Sequence, residues 1–163
     1  MEYKARKVQV DDAPAILEVM NYYINNSMAA YFEQNLPLPA IQALVKAGND
    51  YPFYVLTAPD DAVIGYGFLR RYHPASAFDR TAELAYFIMP EHTRQGLGQR
   101  LLNQLIEAGR EMGISILLAN INGLNQASID FHRAHGFREV GRLEGIGRKF
   151  GQDFDVVWMQ KNI

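Results

Sequence analysis

A chain of 163 residues, 48% of them hydrophobic, is long enough for one domain that buries about two-thirds of its unfolded surface without disulfide or metal support. Its 16 basic and 18 acidic residues are interspersed and leave a net charge of −2, so no basic patch marks nucleic acid or an anionic membrane as a partner. The lack of cysteine excludes a disulfide framework, a thiolate metal site and a cysteine nucleophile together. No apolar run reaches the roughly 20 residues of a membrane span, and Met1–Lys7 lacks the apolar stretch of a signal peptide. A soluble, cytoplasmic single domain over 1–163 is the expectation.

In chain order, residues 4–10 alternate like a strand. Asp11-Asp12-Ala13-Pro14 reads as a helix start, with acids in the first turn and proline near its first position. Ile16, Val19, Met20 and Tyr23 follow at helical spacing until Asn25-Asn26-Ser27 breaks it. A second helix is predicted from Pro39 to Ala47, with Ile41, Leu44 and Val45 inward. Phe53–Thr57 and Val63–Arg71 are apolar runs joined through Pro59-Asp60-Asp61, which makes a hairpin. Thr81–Met89 is a third such run, stopped by Pro90. Leu101, Leu102, Leu105 and Ile106 mark an amphipathic helix ending near Gly113. Ser115–Ile121 reads as a buried strand, Asn125–His135 as a helix ending at Gly136, and Phe137–Arg142 and Phe154–Gln160 as two last strands. The order β-α-α-β-β-β-α-β-α-β-β predicts an α/β (α+β type) fold: a mixed, mostly antiparallel sheet with helices on both faces.

The most informative segment is Glu91-His92-Thr93-Arg94-Gln95-Gly96-Leu97-Gly98-Gln99-Arg100-Leu101-Leu102, between a strand and the amphipathic helix. Two glycines one residue apart let the backbone turn tightly and present successive N–H groups, the helix dipole adds positive potential, and Arg94 and Arg100 add full charges. A pyrophosphate suits such a loop. A dinucleotide fingerprint would need glycine at Leu101, and a P-loop would need Gly-Lys-Ser/Thr; both are absent.

Within the strand before this loop, Glu83 is an acid among apolar residues, where an unpaired charge is costly. It is either a general base or the acidic half of an ion pair with Arg70, Arg71 or Arg80. His132 is either a structural helix histidine or a proton-transfer group. No nearby carboxylate joins His132 and His135, so no metal is expected. Asn125 is a helix N-cap by position and Gly136 a C-cap.

The loop resembles the pyrophosphate loop of the GNAT superfamily of N-acetyltransferases, Arg/Gln-x-x-Gly-x-Gly/Ala, through Gly96 and Gly98. Its first position departs: Thr93 stands there, with Arg94 one place later. The segment from Asn125 through Ser128 to Gly136-Phe137 is similar to the superfamily's later strand-loop-helix signature. Asn21-Tyr22-Tyr23-Ile24, Tyr51-Pro52, Ala77–Glu83 and Lys149-Phe150-Gly151 resemble the phosphinothricin acetyltransferase-like branch.

The resemblance implies about seven strands and four helices, acetyl-CoA as co-substrate and no metal. It assigns the coenzyme to Arg94, Gln95, Gly96, Leu97, Gly98, Gln99 and Arg100, to backbone N–H groups at Phe87, Ile88 and Met89, and to Asn125 and Ser128. It makes Glu83 the base and places His132 where many members carry a tyrosine general acid. Tyr31, Arg71, His73, Phe78 and Arg80 are the implied contacts to a small amino-acid-like amine, although the basic residue expected within 73–77 is replaced by His-Pro-Ala-Ser-Ala. The two aromatics are equally compatible with ordinary packing. With no cysteine, the amine attacks directly in a ternary complex. A homodimer on the last strands is also implied. Acetylation of a protein amine, or a coenzyme sensor without chemistry, are the competing readings.

Overall fold

The computed structural model describes residues 2–163. Seven strands form one sheet in the order β1-β2-β3-β4-β5-β7-β6. They are β1 (Lys4–Lys7), β2 (Phe53–Thr57), β3 (Val63–Arg71), β4 (Thr81–Ile88), β5 (Ile116–Asn122), β6 (Arg138–Lys149) and β7 (Gln152–Asn162). Every neighbouring pair is antiparallel except β4 and β5. The crossover that a parallel pair requires is α3 (Leu97–Glu111).

Helices α1 (Ala13–Asn26) and α2 (Leu38–Ala47) cover one face of the sheet. Their Ile16, Val19, Ile41 and Val45 pack on Phe53, Val55, Tyr66 and Phe68. Helix α3 and α4 (Gln126–Ala134) cover the other, where Leu101, Leu102, Leu105, Ile106 and Ile129 meet Leu84, Leu117, Val157 and Met159. The predicted architecture therefore holds, with each helix burying the stripe its spacing marks. No helix of the described residues is long and apolar enough to cross a membrane.

Three boundaries differ from expectation. β1 stops at Lys7, and Val10–Asp12 forms a 3-10 turn ahead of α1. The last two strands are far longer than 137–142 and 154–160. Gly141, Gly145 and Gly147 mask β6 in the sequence, but register shifts at Glu139/Gly141 and Leu143/Gly147 absorb them as bulges. Gly147 is also required by packing: a Cβ there would lie 2.1 Å from Phe154 Cζ.

Candidate active site

β4 and β5 run side by side from Thr81↔Ile116 to Leu84↔Ala119 and then part. β4 continues on β3 to Ile88, and β5 continues on β7 to Asn122. The segments Ala85–Ile88 and Asn120–Asn122 thus bound a wedge between neighbouring strands. The Met89 N–H donates to Ile64 O of β3 at 2.8 Å. Strand alternation therefore turns Phe87 toward β3 and leaves the N–H and C=O groups of Tyr86 and Ile88 on the wedge side. This corrects the expected donor set: of Phe87, Ile88 and Met89, only Ile88 keeps its N–H in the wedge, and Tyr86 joins it. The Ile88 carbonyl accepts a hydrogen bond from the Tyr23 hydroxyl.

The α3 N-terminus follows directly after β4. Gly96 is its N-cap in the left-handed conformation (φ 75°), and no side chain caps the helix. The first intrahelical bond runs from Arg100 N–H to Gly96 O, so the N–H groups of Leu97, Gly98 and Gln99 have no acceptor within the helix. Arg94, itself at φ 61°, and Gln95 are exposed beside them. This donor set fits a pyrophosphate. The Arg100 guanidinium donates to Tyr3 O at 2.6 Å and lies 3.9 Å from Glu2, turned back toward the start of β1. Asn125 Oδ1 accepts the Ser128 N–H at 3.2 Å as an N-cap, which is the structural half of the role expected for Asn125.

Glu83 lies on the α1/α2 face of β4, directly opposite Arg70 on β3. Arg70 Nε and Nη2 each approach Glu83 Oε2 to 2.6 Å. Of the three possible arginine partners, the structure selects Arg70. That pairing coexists with a base role, because Oε1 takes no part in it.

His132 is on the other face, buried between Phe131, Phe137 and Tyr86. Its Nδ1 is 2.7 Å from the Ser128 carbonyl, and its Nε2 is 2.7 Å from the Tyr86 hydroxyl. A carbonyl only accepts, so Nδ1 carries the proton. Burial, the largest influence, pushes the imidazole below its ordinary value and keeps it neutral. Neutral His132 therefore has a bare Nε2 that accepts from Tyr86, and it holds no proton ready for donation. Burial also raises the Tyr86 phenol well above its ordinary value.

On the α1/α2 face, Tyr31 donates to Asn120 Oδ1 at 2.6 Å and stacks on Phe154 at 5.5 Å. Desolvation pushes the Tyr31 phenol up to about 12, although 41% of the residue's surface stays exposed. The other expected substrate residues lie at the opposite end of the Glu83–Ala85 stretch. Arg71 pairs with Asp79 at 2.6 Å, and His73 accepts the Ala75 N–H at 3.0 Å and packs against Phe78 at 4.8 Å. Arg80 is exposed, and its carbonyl takes the N–H groups of Ser115 and Ile116. No hydrogen bond joins these four to Tyr31 among the described residues. Arg71 does line, together with Arg70, Leu44, Tyr51, Phe53 and Phe68, a cleft of about 410 Å³ on the α2 side of the sheet.

Sequence reasoning missed Tyr86, Asn120 and the structural part of Lys149. Lys149 is fully buried, and its Nζ donates to Ser27 O at 2.7 Å and Ala30 O at 2.6 Å. It thereby clamps the loop that carries Tyr31. A buried lysine in a Lys-Phe-Gly turn has no local signal, because its partners lie 122 and 119 residues away.

One parted parallel pair, an uncapped helix N-terminus at the mouth of the wedge, and a carboxylate on the far face form a site that can seat a pyrophosphate and an extended arm. The family model described as Acetyltransferase (GNAT) family matches residues 18–137, and the chain belongs to that family. It is 33% identical, over 100% of its length and 96% of the other protein, to an L-methionine sulfoximine/L-methionine sulfone acetyltransferase of Pseudomonas paraeruginosa. It superimposes with a TM-score of 0.93 and 29% identity on a phosphinothricin acetyltransferase of Sinorhizobium meliloti in complex with acetyl-CoA, covering 100% of this chain and 89% of that one. A ribosomal-protein-alanine N-acetyltransferase of Brucella melitensis gives a TM-score of 0.92 at 31% identity, with 98% and 99% covered.

Proposed function

We propose that this enzyme transfers the acetyl group of acetyl-CoA to the α-amine of a small amino-acid-like substrate, by direct attack in a ternary complex. The observation that carries this reading is the parted β4–β5 pair, with the helix cradle and His132–Tyr86 on one face and Glu83 with the Arg70 guanidinium on the other. The Pseudomonas relative's name supports the substrate class.

The N–H groups of Leu97, Gly98 and Gln99, with Arg94 and Gln95 alongside, would hold the pyrophosphate, and the wedge edges at Tyr86 and Ile88 the pantetheine. Bound acetyl-CoA supplies an activated thioester carbonyl. The N–H of Ile88 would stabilise the oxyanion that develops on attack. Glu83 accepts the proton of the incoming ammonium, directly or through water, since only the neutral amine is nucleophilic. Arg70, beside Glu83, would supply the cation that a substrate carboxylate requires, with Arg71 at the edge of the same cleft.

A cytoplasmic location goes with a nucleotide co-substrate and a mixed surface charge. A homodimer goes with β6, an edge strand of 12 residues whose Val140, Leu143 and Ile146 are 43%, 48% and 61% exposed. Gel filtration should give about twice the 18.5 kDa of the chain, and elution at the single-chain mass would remove the dimer.

The Brucella neighbour favours a second reading, acetylation of a protein N-terminus. Thiol release from acetyl-CoA decides between them, measured with the standard amino acids, methionine sulfoximine and sulfone, phosphinothricin, polyamines and N-terminal peptides. Release with the free amino-acid analogues is expected. Release with peptides alone would overturn the substrate class, and coenzyme binding without release would leave a sensor.

A further inference from the structure

We propose that Tyr86, rather than His132, is the residue that hands a proton to the departing thiolate, with His132 acting behind it as a reversible acceptor. This rests on the acetyl-transfer reading above and assigns a catalytic role to a residue outside the expected set. Three observations carry it. Tyr86 belongs to the segment of β4 that has left β5, so its own N–H and C=O line the wedge. Its side chain lies on the α3/α4 face, the face of the helix cradle, against Phe131 and His132. Its hydroxyl donates to Nε2 of an imidazole whose other nitrogen is fixed by the Ser128 carbonyl, so both nitrogens of His132 are occupied.

This polarity fixes the order of proton movement. Tyr86 Oη takes the proton that the attacking nitrogen sheds, while its own hydroxyl proton passes to His132 Nε2. As the carbon–sulfur bond breaks and its electron pair goes to sulfur, Tyr86 gives the sulfur a proton and recovers one from His132. One proton has then moved from nitrogen to sulfur, and both side chains are restored. Glu83, on the opposite face, handles the separate proton of the substrate ammonium. His132 is a positioning and accepting group that acts through Tyr86.

Two measurements test the relay. Nitrogen-15 NMR of the imidazole in the ligand-free protein should show Nδ1 protonated and Nε2 bare, with the Nε2 resonance moving in Tyr86→Phe. Kinetically, Tyr86→Phe should lower kcat by about 10²-fold or more, the span of one lost proton-transfer group, with acetyl-CoA KM and calorimetric coenzyme A affinity unchanged. Tyr86→Phe/His132→Gln should then be no slower than the worse single variant, because the two act as one unit. A protonated Nε2, wild-type kcat in Tyr86→Phe, or a loss confined to coenzyme affinity would each overturn the relay. Failure of the acetyl-transfer reading is separable: wild-type protein would release no thiol with any amine, while the NMR result would still decide the tautomer.

Discussion

Glu83→Gln lowers kcat by about 10²–10⁴-fold, the range for loss of a general base, and leaves coenzyme A affinity unchanged. The competing reading of Glu83 is the ion pair with Arg70, whose side chain is 58% exposed against 13% for Glu83. An ion pair with one solvent-exposed partner contributes on the order of 0–1 kcal/mol, and its loss does not slow chemistry. The two readings therefore differ by orders of magnitude in kcat and little in stability. Coenzyme affinity stays constant because Glu83 projects from the α1/α2 face of β4, away from the α3 cradle. Arg70→Met removes the pairing while leaving the carboxylate; because Arg70 is also a proposed ligand of the substrate carboxylate, KM for the amine should rise while kcat falls far less than in Glu83→Gln. Steady-state kinetics with calorimetric titration of coenzyme A measures both arms. Glu83→Gln at wild-type kcat would reduce Glu83 to half of an ion pair.

Lys149→Met should destabilise the fold substantially. Its ammonium is fully buried, and it is the donor to two loop carbonyls, those of Ser27 and Ala30. Burial, the leading influence, lowers its affinity for a proton, so these two charge-assisted bonds must offset the desolvation. Methionine fills much of the volume but leaves both carbonyls without the donor, at a cost of about 2–5 kcal/mol. For a domain of this size that lowers Tm by about 5–15 °C. The functional consequence is local. The loop released is the one that presents Tyr31 to Asn120 and Phe154 on the α1/α2 face, where the amine is proposed to bind, so KM for the amine should rise while that for acetyl-CoA stays level. Scanning calorimetry and kinetics check the two halves; an unchanged Tm would mean that the clamp contributes nothing.

Much of the fold is legible along the chain because it is local. The inward stripes Ile16–Val19 and Leu101–Leu105 announce their helices. The odd acid at Glu83 and the glycine pair at 96 and 98 stand out as site candidates before any topology is known. What stays hidden is what registers and strand ends create. Tyr86 is one aromatic in an aromatic run until the parting of β4 and β5 exposes its edge and brings it to His132, 46 residues on. Tyr31 and Asn120 meet across 89 residues. The sign of His132's hydrogen bonds depends on which group faces each nitrogen, which no spacing encodes. Arg100 shows the converse: its position beside the glycines suggests an anion ligand, yet the neighbouring β1 segment captures it. β6 continues past three glycines because the bulges let it follow β7.

The most direct test of acetyl transfer to a small α-amine is mass spectrometry of the products formed from acetyl-CoA and L-methionine sulfone. A single N-acetyl adduct of the amino acid, formed with the protein itself unmodified, is the predicted result. An untouched amino acid beside an acetylated N-terminal peptide would contradict it.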